Sequence, residues 1–169
     1  MKFKTTPYHF DLLKDEERLS AFYEAIKELS TSQELAYDLG CGSGILSFFL
    51  NSYFKEIIAI EQDFKASRCA KENLKSFKNI EVVNEDVLKY DFSKKCDLIV
   101  CEMLDTALID EEEVPVLNHA RNYLKENGKI IPQGIINTIE LARLERDYIH
   151  YDEDVNLSLI HISEPTRPY

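Results

Sequence analysis

Absences narrow the reading of this chain before any motif does. No apolar run approaches the roughly 20 residues that a membrane-crossing helix needs, and the polar start M-K-F-K-T-T-P-Y-H-F-D has no signal-peptide character. No membrane partner is expected, and the cytoplasm is the default compartment. Basic residues are the minority, 20 Lys and Arg against 31 Asp and Glu, and no Lys/Arg stripe occurs. The phosphate-neutralising footprint of a nucleic-acid binder is therefore missing. Nucleic acid is disfavoured as a partner, and at a net charge of −11 a cationic substrate is easier to accommodate. Cysteines number only four, Cys41, Cys69, Cys96 and Cys101, with no Cys-x-x-Cys pair and no clustered His. That pattern argues against a metal site and for free, mostly buried thiols in a reducing compartment. No repeat or low-complexity tract interrupts the chain, and 169 residues suit one domain with a real core.

Glycine is also scarce, and its placement is informative. Of five glycines, Gly40, Gly42 and Gly44 fall within five positions. Leu35, Ala36, Tyr37 and Leu39 before them signal a buried strand, and Ile45, Leu46, Phe48, Phe49 and Leu50 after them open a helix. A sharp strand-to-helix turn with a ligand against it requires such clustering, because glycine tolerates positive φ and leaves no Cβ in the ligand's way. The bland alternative is a tight βα turn. The spacing is not the dinucleotide fingerprint G-x-G-x-x-G: the third glycine comes one residue early, and Ile45 holds its place. Residues 38–44 instead read D-x-G-x-G-x-G. This resembles the class I S-adenosylmethionine-dependent methyltransferases. The resemblance implies S-adenosylmethionine as cofactor, its amino-acid and ribose portions cradled by the loop.

The remaining pattern alternates strands and helices. Asp11 to Ser30 has helical spacing in Leu12, Leu19, Phe22, Tyr23 and Ile26. Strands are expected at Leu35–Asp38, Glu56–Glu61, Ile80–Val83, Asp97–Cys101 and Lys129–Pro132, with helices over Ser43–Asn51, Lys65–Phe77 and a segment ending near Leu124, closed by Asn127-Gly128. Such alternation predicts an open, doubly wound, mostly parallel α/β sheet of Rossmann-like class. Ligands bind such sheets beyond the carboxyl ends of the strands. That rule selects Asp38–Gly44, Glu61, Glu85-Asp86 and Glu102 onwards. A carboxylate at Glu61 suits the two hydroxyls of a ribose, against the alternative of an exposed strand-end Glu. Asp86 is placed for the adenine amino group, or is a turn aspartate. Asp38 holds the loop, reaches the cofactor's ammonium, or merely forms a turn.

Residues 102–113, E-M-L-D-T-A-L-I-D-E-E-E, carry six carboxylates and no Lys or Arg. Acids collect at helix N-termini, and Glu112 and Glu113 are read as that kind, while Pro115 belongs in a first helical turn. Glu102 differs, since it directly follows a buried strand. Here the chain resembles the protein arginine methyltransferases over about residues 12–145. The matching residues are Leu13-Lys14-Asp15 with Arg18, the glycine loop through Ile45 and Leu46, Glu102 and Glu111 nine residues apart, Ala120-Arg121, and Gly128, Ile130 and Pro132. The first acidic motif departs from that family's S-E-W-M-G-Y, reading C-E-M-L-D-T, and the aromatic segment upstream is reduced to Tyr8 and Phe10.

The resemblance implies that Glu102 and Glu111 hold a cationic acceptor as catalytic residues. It implies a cofactor site of Arg18, Asp38, Gly40, Cys41, Gly42, Gly44, Ile45, Leu46, Glu61, Gln62, Glu85, Asp86, Val87 and Glu102. The acceptor is a protein, such as its arginine, or a small molecule. An adenine acceptor is disfavoured, because Glu102-Met103-Leu104-Asp105 lacks the proline and stacking aromatic of [DN]-P-P-[YF]. An RNA acceptor and a cofactor-binding fragment without catalysis stay open. The expected layout is an N-terminal helical segment over 1–34, the cofactor-binding domain over 35–134, the start of a C-terminal strand region over 135–157, including Ile136–Leu144, and a non-native or disordered tail over 158–169.

Overall fold

The computed structural model describes residues 3–29, 33–104 and 111–137. The expected strand Ile136–Leu144, the tail, and the acidic positions within 105–110 lie wholly or mostly outside them. Two short helices lead in, α1 (Pro7–Leu12) and α2 (Glu16–Leu29). There follow β1 (Gln33–Leu39), α3 (Ile45–Leu50), β2 (Phe54–Ile60), α4 (Phe64–Leu74), β3 (Ile80–Val83), β4 (Cys96–Cys101), α5 (Glu113–Ala120) and β5 (Leu124–Ile131). The five strands form one sheet in the order β3-β2-β1-β4-β5, every pair parallel.

Alternation along β1 explains why both faces are covered. Leu35, Tyr37 and Leu39 point to one face, where Ile58, Ile60, Phe92, Ile99 and Cys101 join Val116 and Ala120 of α5. Ala36 points to the other, where Ile57, Leu98 and Val100 meet Ile26 of α2 and Leu46 and Leu50 of α3. The near-continuous apolar strands follow from this double covering. α4 closes the β2 side through Ala70 and Leu74 against Ala59.

Two expectations change. The single helix over 11–30 is two. Thr6 caps α1 by accepting the His9 N–H, with Pro7 in the first turn, and the chain restarts where Asp15 Oδ1 accepts the Arg18 N–H at 3.0 Å. Asn127-Gly128 does not end a helix: α5 stops at Ala120, a 3₁₀ turn spans Arg121–Tyr123, and the pair lies within β5. There the register jumps from Cys96↔Leu124 to Leu98↔Lys129, so residues 125–128 bulge out of the ladder. The same dipeptide serves a bulge as well as a cap, and only the pairing decides. Glu112 and Glu113, by contrast, stand at a helix start as expected, Glu112 at the N-cap and Glu113 one residue on. Glu113 is buried in the first turn of α5, whereas Glu112 is exposed. Pro115 sits within that first turn, where it displaces no hydrogen bond.

Candidate functional site

Register builds the site. Leu39, the last residue of β1, pairs with Ile60 on one side and Cys101 on the other, and Ile60 pairs with Val83. The next residues, Gly40, Glu61, Asn84 and Glu102, therefore stand in a row, neighbouring strands being about 4.8 Å apart. The row lies at the switch point, where the chain leaves β1 towards β2 on one side and returns as β4 on the other.

From this edge the glycine loop turns into α3. Gly40 and Cys41 N–H groups both donate to the Ile60 carbonyl, at 2.9 and 3.0 Å, and the Gly44 N–H donates to Cys41 O at 2.8 Å. The turn places Gly40 and Gly42 at φ +70° and +54°, the left-handed region. Their missing side chains are also spatially required. A Cβ on Gly40 would lie 2.8 Å from Met103 Sδ, and one on Gly42 2.8 Å from the His9 ring. Glu61 is buried beside the loop. Its Oε2 accepts the Gly42 N–H at 2.8 Å and its Oε1 the Asp63 N–H at 2.7 Å. Each oxygen keeps a further lone pair, so the fixed carboxylate can still accept two hydroxyls of a diol.

Asp38 lies behind the loop. It is 1% exposed, and its Oδ2 accepts the Ser47 hydroxyl of α3 at 2.5 Å. Its Oδ1 has no partner among the described residues. Burial pushes its carboxyl up to about 7, against the pull of the Ser47 bonds. Asp38 thus ties the strand end to α3 and does not line the cleft. Two other expected residues stand outside it as well. Gly44 faces α4, where a Cβ would come 2.6 Å from Leu74 Cδ1, and Glu85 is exposed to solvent.

The other expected residues share one cleft of about 1020 Å³: Arg18, Gly40, Cys41, Gly42, Ile45, Leu46, Glu61, Gln62, Asp86, Val87, Glu102 and Glu111. That volume is at the upper end for ligand sites. Asp86 is held by Lys89 and by the Leu88 N–H, which lower its carboxyl. On the opposite wall Arg18 Nη1 pairs with Glu102 Oε2 at 2.5 Å, and Nη2 donates to Leu12 O at 2.9 Å. The Arg18 Nε is shielded from solvent with no partner among the described residues. Burial pushes the Glu102 carboxyl up, Arg18 opposes it, and Glu111 and Asp15 add to it. At the mouth the Tyr8 hydroxyl donates to Glu111 Oε1 at 3.4 Å, and burial, then Glu111, raises the Tyr8 phenol.

These features fit an adenosyl amino-acid cofactor. A carboxylate would find the Arg18 guanidinium, which lines the cleft, and a ribose diol would find Glu61. Apart from Tyr8, part of the reduced aromatic segment, several lining residues had no sequence signal. α1 lays Tyr8 and His9 across the cleft, and the His9 Nδ1 sits 2.7 Å from the Thr6 hydroxyl. Thr6-Pro7 marks a helix start, but nothing in the spacing aims that helix at Gly42. Met103 and Lys65 also line the wall. Phe10 does not; it is half exposed beneath the Lys14 ammonium.

Comparison with known proteins agrees with this geometry. Residues 36–128 match the family described as methyltransferase domain. The chain is 53% identical over 156 residues to an uncharacterized protein of Methanothermobacter thermautotrophicus, covering 92% of this chain and 62% of that one. It is 32% identical over 119 residues to the ribosomal protein L11 methyltransferase of Thermoanaerobacter pseudethanolicus, covering 68% of this chain and 36% of that one. Among solved structures, the Trypanosoma brucei PRMT1 (protein arginine methyltransferase) enzyme–prozyme complex with AdoHcy superposes at a TM-score of 0.68. That match has 24% identity over 75% of this chain and 42% of that one, and shows shared fold. The chain thus spans about three fifths of the longer archaeal relative. A family match over more than half of the chain, on a parallel sheet with a glycine loop and strand-end carboxylates at its switch point, identifies this protein as a member of the class I S-adenosylmethionine-dependent methyltransferase family.

Proposed function

We propose that the whole protein transfers a methyl group from S-adenosylmethionine to a nitrogen of a cationic acceptor, most simply a protein arginine. When bound, the cofactor supplies an electrophilic methyl group; the chain's residues hold and orient the two ligands. Glu61 and the glycine loop hold the ribose end, and Arg18 the carboxylate. Glu102 and Glu111 grip the acceptor's cation, draw its positive charge towards the far nitrogens, and leave one lone pair aimed into the cleft. Catalysis of this kind is alignment plus electrostatic support for a developing cation.

The observation that carries the reading is the Glu102 carboxylate, half-buried one strand away from Gly40 and sharing its cleft with Glu111. The charged side chains lining that cleft are six carboxylates against Arg18 and Lys65. An acidic, partly desolvated wall favours a cation and repels a phosphate. The experiment is methyl transfer from labelled cofactor by the full-length protein, with protein substrates as acceptors. Glu102→Gln is expected to lower the rate more than about 100-fold. An unchanged rate sinks the role of Glu102.

A second protein acceptor class has a specific observation behind it. The departure C-E-M-L-D-T puts Met103 against Gly40 on the acceptor side, and the relative that acts on ribosomal protein L11 is 32% identical. An acceptor panel that sets ribosomal protein L11 beside arginine-bearing protein substrates separates the two.

A further inference from the structure

Behind the glycine loop, one amide side chain ties together two segments that the cleft needs side by side. Asn73, near the end of α4, is 4% exposed and does not line the cleft. A carboxamide offers two N–H donors and a carbonyl acceptor, and here all of them are used. Nδ2 donates to Ser43 O at 2.9 Å and to Lys4 O at 2.7 Å, and Oδ1 accepts the Lys4 N–H at 2.7 Å. Lys4 is thus held by both of its backbone groups. The other ties of its segment are weaker: an exposed ion pair of Lys4 with Glu72 at 3.3 Å, and an edge contact of Phe3 on Phe48 with centroids 6.5 Å apart. Nothing in helix formation asks for asparagine at this position, since it is a poor helix former.

We propose that Asn73 is a positioning residue of the cofactor site: its one carboxamide locks the N-terminal segment to the glycine loop, and so sets the His9 ring over Gly42. This rests on the cofactor site described above. The loop is gripped from two sides. Glu61 takes the Gly42 N–H at 2.8 Å, and Asn73 takes the carbonyl of the next residue, Ser43. From Lys4 the chain reaches His9 within five residues, along a path that Thr6 fixes as helix cap and Pro7 fixes through its ring. A slip at Lys4 therefore moves His9, whose ring lies so near Gly42 that a Cβ there would come within 2.8 Å of it. Tyr8 and His9 line the cleft together with Gly42 and Ser43. A ligand against the loop meets both walls, so its affinity depends on the tie although Asn73 does not touch it. Holding the two walls in place beforehand lowers the ordering cost of binding.

The test is calorimetry with S-adenosylhomocysteine on the full-length protein. Asn73→Leu keeps the branched shape and removes all three hydrogen bonds, so it is expected to weaken binding about tenfold. His9→Ala also weakens it. The double variant binds within about twofold of the weaker single variant, because both changes break one route. A second readout, hydrogen exchange on the unaltered protein, decides the matter even if Asn73→Leu does not fold. The Lys4 amide, whose acceptor is Asn73, and the amides of α1 exchange as one unit and gain protection together when the ligand binds. A merely structural tie would leave the Lys4 amide indifferent to the ligand. Unchanged affinity in Asn73→Leu, additive losses in the double variant, or protection of α1 without Lys4 overturns the positioning role and leaves the cofactor site standing. No binding to a folded, unaltered protein overturns both.

Discussion

Replacing Asp38 by Asn should flatten the pH dependence of stability by an amount the structure sets. The carboxyl is buried behind the glycine loop with one oxygen on Ser47 and the other without a partner among the described residues. Its folded-state value is near 7 against an ordinary 3.8. The raised value means that the native state prefers the protonated form. Asp38's favourable contribution is complete below the unfolded value and is lost as the pH rises through about 7. Over about pH 5.5 to 8.5 the unfolded group stays ionised, while the folded one loses its proton. At 1.36 kcal/mol per unit, that interval removes roughly 2 kcal/mol. Asp38→Asn keeps an acceptor for Ser47 and cannot ionise, so its stability should fall by about 2 kcal/mol less than that of the unaltered protein across the interval. Urea unfolding at the two ends measures both slopes, and any packing cost of the new amide appears as a constant offset. Equal slopes would refute the reasoning, because Asp38 would then have to be ionised and paired in the native state.

Two further outcomes follow from the geometry. Glu61→Ala removes the acceptor of two backbone N–H groups. It should abolish S-adenosylhomocysteine binding in calorimetry and cost about 1–3 kcal/mol for each N–H left bare, whereas binding retained at full affinity would exclude Glu61 from the site. Phe92 is 4% exposed, stacks on Tyr123 with centroids 4.8 Å apart, and meets Tyr37 and Tyr90 edge-on. Phe92→Ala should lower unfolding stability by about 3–5 kcal/mol in urea titrations. A loss near zero would mean that this aromatic cluster does not hold α5 and the 3₁₀ turn against the sheet.

How far the sequence could be read depended on the range of the interactions involved. β3 was legible to the residue, and β1, β2 and β4 to within two, because each is an apolar run bounded by turn residues. Glu61 and Glu102 could be located because strand ends in a parallel sheet share one edge. Asp38 was ambiguous because its burial depends on Ser47 and the α3 packing, nine residues on. The bulge at residues 125–128 and the break before α2 hid for a related reason. Asn-Gly and Asp serve several local geometries, and partners across the sheet or in the next turn select among them. His9 over Gly42 and Tyr8 on Glu111, 103 residues away, are tertiary placements with no periodic trace.

The double pairing of Leu39 makes β1 a datum line for everything functional. The carboxylates of β2 and β4 are measured from it. A one-residue slip in β1 would turn Tyr37 and Leu39 to the wrong face and move Gly40 off its neighbours. Residues 35–39 are therefore the part of the chain least free to drift.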